Sequence, residues 1–223
     1  SCRRLGNKFD PDSLWVSGLS DYERFLKSKL CTPSNLAIVG NNKIPDFKNK
    51  KKINIKNLCV LVVPEGLTSE CSILFHYSLR CALMFPQISF IWRLHPSLNF
   101  NQLFKDFPSL KNIPKTITIS TKNIDKDIER VTHVLYRGSS TVIKAVSLGV
   151  QPIYLNLPNE MTIDPIHNLK QWKLTVNKPE DLKLTINNQS KLEIENRYHA
   201  IEYAKSFFMP MDKRKILKII KND

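Results

Sequence analysis

Glycine is scarce in this chain, with six residues in 223. Neither G-x-G-x-x-G nor G-x-x-x-x-G-K-[ST] can be read anywhere, which sets aside the dinucleotide fingerprint and the P-loop. G-x-S-x-G is missing as well, so no nucleophile elbow is expected. The five cysteines are Cys2, Cys31, Cys59, Cys71 and Cys81. No two of them form C-x-x-C, and no His stands at zinc spacing from a pair, so neither a redox motif nor a structural zinc site is expected. An odd count in a chain of this size fits reduced thiols, with Cys59, Cys71 and Cys81 acting as small core residues. Long apolar runs are lacking too: SILFHYSLRCALMF is interrupted by His76 and Arg80. Neither a membrane span nor a signal peptide is expected. The chain begins at Ser1 rather than Met, and a fragment of something longer is the expectation.

Acidic residues are outnumbered, 20 Asp and Glu against 34 Lys and Arg, for a net charge of +14. Such a surface favours nucleic acid, anionic membrane or phosphorylated small molecules. A coding bias toward Lys, Asn and Ile accounts for the same charge without any partner. The densest run, Lys48 to Lys52, reads as a solvated loop. No nucleic-acid motif and no exposed aromatic platform accompanies the charge, so a specific nucleic-acid role ranks last.

What is present is a regular alternation. Leu36–Val39 reads as a short strand, after a helix around Ser20–Leu30. From Leu58 the pattern tightens. LCVLVV (58–63) is a near-continuous apolar strand of the kind buried on both faces. Further strands are expected at Ile88–Leu94, Thr116–Ser120, Thr132–Tyr136, Pro152–Leu155 and Lys173–Val176. Helices are expected between them, at Thr68–Phe85, Phe100–Phe107, Asp125–Arg130 and Ser140–Leu148, the last stopped by Gly149. A short helix opens at Pro179–Leu182, and a long one at Leu192–Phe208 closes the pattern. Strand–helix alternation implies right-handed crossovers and a parallel sheet covered on both faces, a Rossmann-like α/β domain.

Ligands of open parallel sheets bind beyond the carboxyl ends of the strands. The predicted tips are polar. They carry Glu65, Gly66 and Thr68, then Arg93 and His95, then Arg137, Gly138, Ser139, Ser140 and Thr141, then Glu160. A helix start offers free N–H groups and partial positive charge, hydroxyls add donors, and Gly138 lets the backbone approach closely. Arg-Gly-Ser-Ser-Thr at a strand-to-helix turn thus reads as a phosphate cradle, with Arg137 and His95 supplying charge. An ordinary helix cap accounts for Ser139 taken alone. Convergence of three polar clusters on one edge favours the cradle. Asp10-Pro-Asp12 lies in an unpatterned region, and Asp125-Lys-Asp127 reads as the acidic first turn of a helix, so no metal is expected.

The order Glu65-Gly66, His95-Pro96, Ser139-Ser140 resembles the E/D-G, HP and SS motifs of bacterial sialyltransferases. Arg93-Leu94-His95-Pro96 followed by Ser139-Ser140 is similar to the CDP-glycerol glycerophosphotransferases of teichoic-acid assembly, and Leu148-Gly149-Val150-Gln151-Pro152-Ile153 resembles a segment of many GT-B glycosyltransferases. Two departures stand out. Glu65 follows the first strand of the donor-type domain, and Arg137 replaces an acidic residue often found near Ser-Ser.

The resemblance covers about 58–158. It implies the C-terminal, donor-binding half of a GT-B enzyme over 58–223, with 1–57 as a partial N-terminal arm or linker. It implies no cofactor, and a CMP-, CDP- or other nucleotide-linked sugar as donor substrate. A saccharide or lipid-linked acceptor would be its partner. His95, Arg137 and Glu65 would be catalytic. Gly66, Thr68, Arg93, His95, Gly138, Ser139, Ser140 and Thr141 would hold the donor, and Glu160 its ribose. A cytoplasmic location with peripheral contact at an anionic inner membrane face is the matching expectation. A non-catalytic Rossmann-like module holding a nucleotide or anionic polymer is the alternative.

Overall fold

A computed structural model describes residues 11, 13–28, 36–42, 44–45, 58–187 and 193–221. The Lys48–Lys52 run, Asp10, Asp12, Cys2 and Cys31 lie outside the described residues. The chain divides into two compact units, Ser1–Asp46 with Glu202–Asp223, and Phe47–Ile201.

The first unit holds β1 (Leu14–Val16), α1 (Leu19–Lys27) and β2 (Leu36–Ile38). The two strands pair in parallel, Leu14 opposite Leu36, with α1 as their crossover. C-terminal residues return to this small sheet. The Asn41 amide donates to the Met209 carbonyl at 2.7 Å, and the Met209 amide to the Ser17 carbonyl at 3.0 Å. Gly40, at φ +81°, makes the turn that permits this approach.

The second unit is the alternating domain. Its elements are β3 (Cys59–Val62), α2 (Thr68–Met84), β4 (Ser89–Trp92), α3 (Phe100–Asp106), β5 (Ile117–Ile119), α4 (Ile124–Ile128), β6 (His133–Tyr136), α5 (Thr141–Ser147), β7 (Gln151–Leu155), β8 (Leu174–Val176) and α6 (Asp181–Asn187). Helix α7 (Glu193–Lys205) carries the chain out of this unit, and α8 (Lys213–Lys221) ends it. The six strands lie in the order β5-β4-β3-β6-β7-β8, every pair parallel. The expected Rossmann-like α/β sheet is therefore present.

Period-two alternation sends Val60 and Val62 to one face, into a core with Leu74 and Phe75 of α2, and Leu61 to the other. Phe75 stacks on Trp92 at 4.5 Å, and the Trp92 indole N–H donates to the buried Ser78 hydroxyl at 2.9 Å. Val142, Ala145 and Val146 of α5 are fully buried as well. Burial pushes the Cys71 and Cys81 thiols up to about 12, so both behave as core residues rather than nucleophiles.

Three elements differ from the pattern read above. Strand β1 falls in a stretch that reads as unpatterned, because three residues are too few to show a period. The C-terminal helix is shorter than Leu192–Phe208. A separate helix, α8, lies beyond the last element expected.

At the amino end of β6, His133 is 3% exposed, and burial holds its imidazole down at about 4. The folded state refuses a proton that the unfolded chain accepts near 6.5, so stability falls as pH drops below that value. Between pH 8 and pH 5 the loss from this residue is expected to be about 2 kcal/mol. Denaturant midpoints of the native chain and His133→Leu measure it. The variant is expected to lose most of that slope.

Candidate functional site

The sheet order changes direction between β3 and β6, so the chain leaves those two strands toward opposite edges and a crevice opens beyond their carboxyl ends. The residues expected there do meet. Gly138 lies against the Glu65 carboxylate: a Cβ at 138 would stand 2.3 Å from its Oε1. Gly66 lies against the β4 tip, its ideal Cβ position 3.2 Å from the His95 Nδ1. The Glu65-Gly66 turn thus joins the β4 tip to the β6 tip, and Gly138 is required so that the carboxylate can reach the backbone.

His95 is exposed, and its orientation is defined. The Ser97 amide donates to its Nδ1 at 3.3 Å, and the Ser97 hydroxyl lies 2.7 Å from the same nitrogen. A nitrogen that accepts from an amide carries no proton in the neutral ring. The neutral imidazole therefore keeps its proton on Nε2, where it can donate.

Ser140 caps α5 with no side-chain hydrogen bond to the helix backbone. Ser139 is buried, Ser140 is exposed and Thr141 is half-buried. An N-cap serine normally uses its hydroxyl on the first-turn amides. Here that hydroxyl remains available to a ligand. Helix α2, whose first residue is Thr68, likewise starts without a side-chain cap.

Arg137 is 2% exposed. One of its terminal nitrogens donates to both Glu70 oxygens at 3.0 Å, and the other donates to Glu160 Oε2. Burial pushes the Glu70 carboxyl up, Arg137 pulls it down, and Glu65 and Glu160 push it up again. One guanidinium thus binds two carboxylates, and a third, Glu65, lies near enough to Glu70 to raise it. The side chain expected to meet a phosphate is enclosed, and a phosphate reaching it would displace Glu160. Glu70 carries no motif, and only the fold shows its part.

Arg93 is also engaged. It donates to the Lys122 carbonyl and, at 2.9 Å, to Asp127 Oδ2. Asp127 is fully buried and accepts a second bond from the Ser120 hydroxyl at 2.6 Å. This brace ties the β4 tip to the β5 tip behind His95. Asp127, which reads as a first-turn helix residue, is the centre of the brace.

Glu160 lies on the loop after β7, and its carboxylate is half-exposed. A buried network anchors that loop. Asp164 accepts from the Tyr136 hydroxyl at 2.9 Å and from the Ile166 amide at 2.9 Å, and pairs with Lys173 at 2.5 Å. No short motif announces it, because Tyr136 and Asp164 lie 28 residues apart along the chain.

No family model and no curated protein matches this sequence. Solved structures do match its fold. A glycotransferase of kitacinnamycin superposes with a TM-score of 0.59 at 11% identity, over 95% of this chain and 55% of that one. The TarM structure gives 0.53 at 12%, over 95% and 43%. The Staphylococcus aureus MnaA–UDP structure gives 0.55 at 15%, over 95% and 59%. The fold is that of a GT-B half. The chain spans between 43% and 59% of the length of these three structures.

Proposed function

We propose that this chain is the donor-binding part of a glycosyltransferase of surface carbohydrate assembly. Its ligand is a nucleotide-activated sugar, CMP- or CDP-linked on the motif resemblance. The observation that carries the reading is the junction at the β3/β6 crevice, where Glu65-Gly66 touches both His95 and Gly138. The donor phosphate lies across that junction. Ser139, Ser140 and Thr141 donate hydrogen bonds to it, beside Gly66 and Gly138, whose open sides are taken by His95 and Glu65. His95 donates from Nε2 as negative charge builds on the leaving phosphate. Glu160 takes the ribose hydroxyls with its exposed carboxylate oxygen, and Arg137 holds that carboxylate in place. A base removes the acceptor proton. Glu65 is the carboxylate at the junction able to do so. The acceptor is a saccharide, free or lipid-linked.

A thermal-shift panel of CMP, CDP, UDP, GDP and NAD tests this. A ligand at 100-fold its Kd stabilises by about 2.7 kcal/mol, a rise of about 5–10 °C for a chain of this size. The expected result is that rise with a cytidine nucleotide and its loss in His95→Ala and in Ser139→Ala/Ser140→Ala, with the ligand-free melting temperatures unchanged. His95→Ala is also expected to abolish transfer. A shift with UDP instead would discard the cytidine assignment and keep the site. Structures of a TarM mutant and of the pneumococcal O-GlcNAc transferase GtfA hold UDP, which makes that arm worth running. Absence of any shift would overturn the proposal. A module that holds the nucleotide without chemistry would show the shift and form no product.

A further inference from the structure

Helix α8, within the first unit, carries the sequence KRKILKIIK. Five of its nine residues are cationic, and no acidic residue lies in its first turn. At 100° per residue its apolar side chains divide into two rows. Ile216 and Ile219 are half-buried, whereas Leu217 and Ile220 are 55% and 57% exposed. On the same wheel Lys213 falls between the two exposed apolar residues and Lys221 lies beside Leu217, and Arg214 and Lys218 continue the cationic arc. All four are exposed. Asp212 caps the helix by accepting from the Lys215 amide at 3.0 Å, so the start is fixed.

Two exposed branched residues one turn apart, bordered by lysines, form a face that suits neither water nor a hydrocarbon core. Among the described residues no helix is long and apolar enough to cross a membrane. An anionic bilayer surface satisfies both halves of the face. Leu217 and Ile220 enter the acyl boundary, while the lysine stems lie along it with their ammonium groups at the phosphates. The net charge of +14 acts in the same direction over a longer range.

We infer that α8 is an interfacial anchor that docks this chain on an anionic phospholipid surface through Leu217, Ile220 and the lysines beside them. The inference does not depend on which nucleotide binds at the carboxyl edge. Occupancy of the anchor would set the chain beside a lipid-linked acceptor.

Co-sedimentation with vesicles tests it, using phosphatidylcholine alone and phosphatidylcholine with 30% phosphatidylglycerol, a composition chosen to be about one-third anionic. Binding is expected to the anionic vesicles and to weaken with salt. Each lysine near such a surface is worth about fivefold, so Lys213→Glu/Lys218→Glu should lower partitioning by about 30-fold or more. Leu217→Ser/Ile220→Ser should lower it by a similar factor with the charge intact. Both variants alter exposed side chains, and unchanged circular dichroism and melting temperature would confirm the fold. No preference for anionic vesicles would overturn the inference. So would full binding by the serine variant, and so would binding confined to a soluble polyanion such as heparin or RNA.

Discussion

Arg137→Leu is expected to lower the free energy of unfolding by about 3–5 kcal/mol at neutral pH, the range for removing one partner of a buried ion pair. The guanidinium is almost wholly enclosed and donates to Glu70 and Glu160. Its loss would leave Glu70, at 14% side-chain exposure, facing Glu65 and Glu160 with no counter-charge. The pH dependence identifies the cause. Burial already raises the Glu70 carboxyl, and Arg137 is the main influence holding it down. Without that influence the folded state takes a proton more readily than the unfolded chain, so acidification favours folding. The deficit of the variant relative to the native chain should shrink from pH 7.5 to pH 5. Adding Glu70→Gln should recover part of it at pH 7.5. Denaturant midpoints at the two pH values decide the matter. A deficit that is constant with pH would mean that packing, not charge, is lost.

The second large effect is expected at Gly40. A left-handed backbone at φ +81° costs a non-glycine residue about 1–2 kcal/mol. A Cβ there would also stand 2.1 Å from the Pro210 carbonyl oxygen, which is backbone and cannot swing aside. Gly40→Ala must push the 209–210 segment away and break the bond from the Asn41 amide to the Met209 carbonyl. Together these are expected to destabilise the first unit by about 3 kcal/mol or more. Hydrogen exchange reads it directly. Amides of β2 and of the 209–212 segment should lose about 100-fold of protection, while those of β3, β4 and β6 serve as the reference. Unchanged protection at Asn41 would show that the turn relaxes without breaking.

Most of the second unit was legible because its strands are buried on both faces. LCVLVV is a continuous apolar run, and in a parallel sheet such a run means a central strand. Strand β3 leads into α2, and its polar tip lies between them. The convergence of Glu65, Gly66, His95 and Gly138 followed from topology alone. What stayed hidden depends on pairing over distance. Glu70 is one more acidic residue in a helix's first turn until Arg137 meets it from 67 residues away. Asp127 looks like a helix cap until Arg93 and Ser120 close on it. Asp164 and Lys173 sit in a loop with no period to read. Helix α8 was missed for another reason: five cations are spread along its nine residues, and its apolar side shows only when they are wound at 100°. Strand β1 was too short to carry any pattern.

The sheet order also governs how the chain can assemble. Strand β3 is central, but its two neighbours arrive at different times. Strand β4 follows after one helix, whereas β6 pairs Val134 with Leu61 and His133 with Val60 across a separation of 73 residues. Closing so long a loop comes after the local β3–α2–β4 crossover unit has formed. On a ribosome adding about 5–20 residues per second, β6 would emerge roughly 4–15 s after β3. Through that interval one edge of Cys-Val-Leu-Val stands unpaired, an apolar strand with free amides that invites a like strand from a neighbouring chain. The same central position that seats the ligand crevice makes β3 the point at which a nascent chain is most exposed to misassembly.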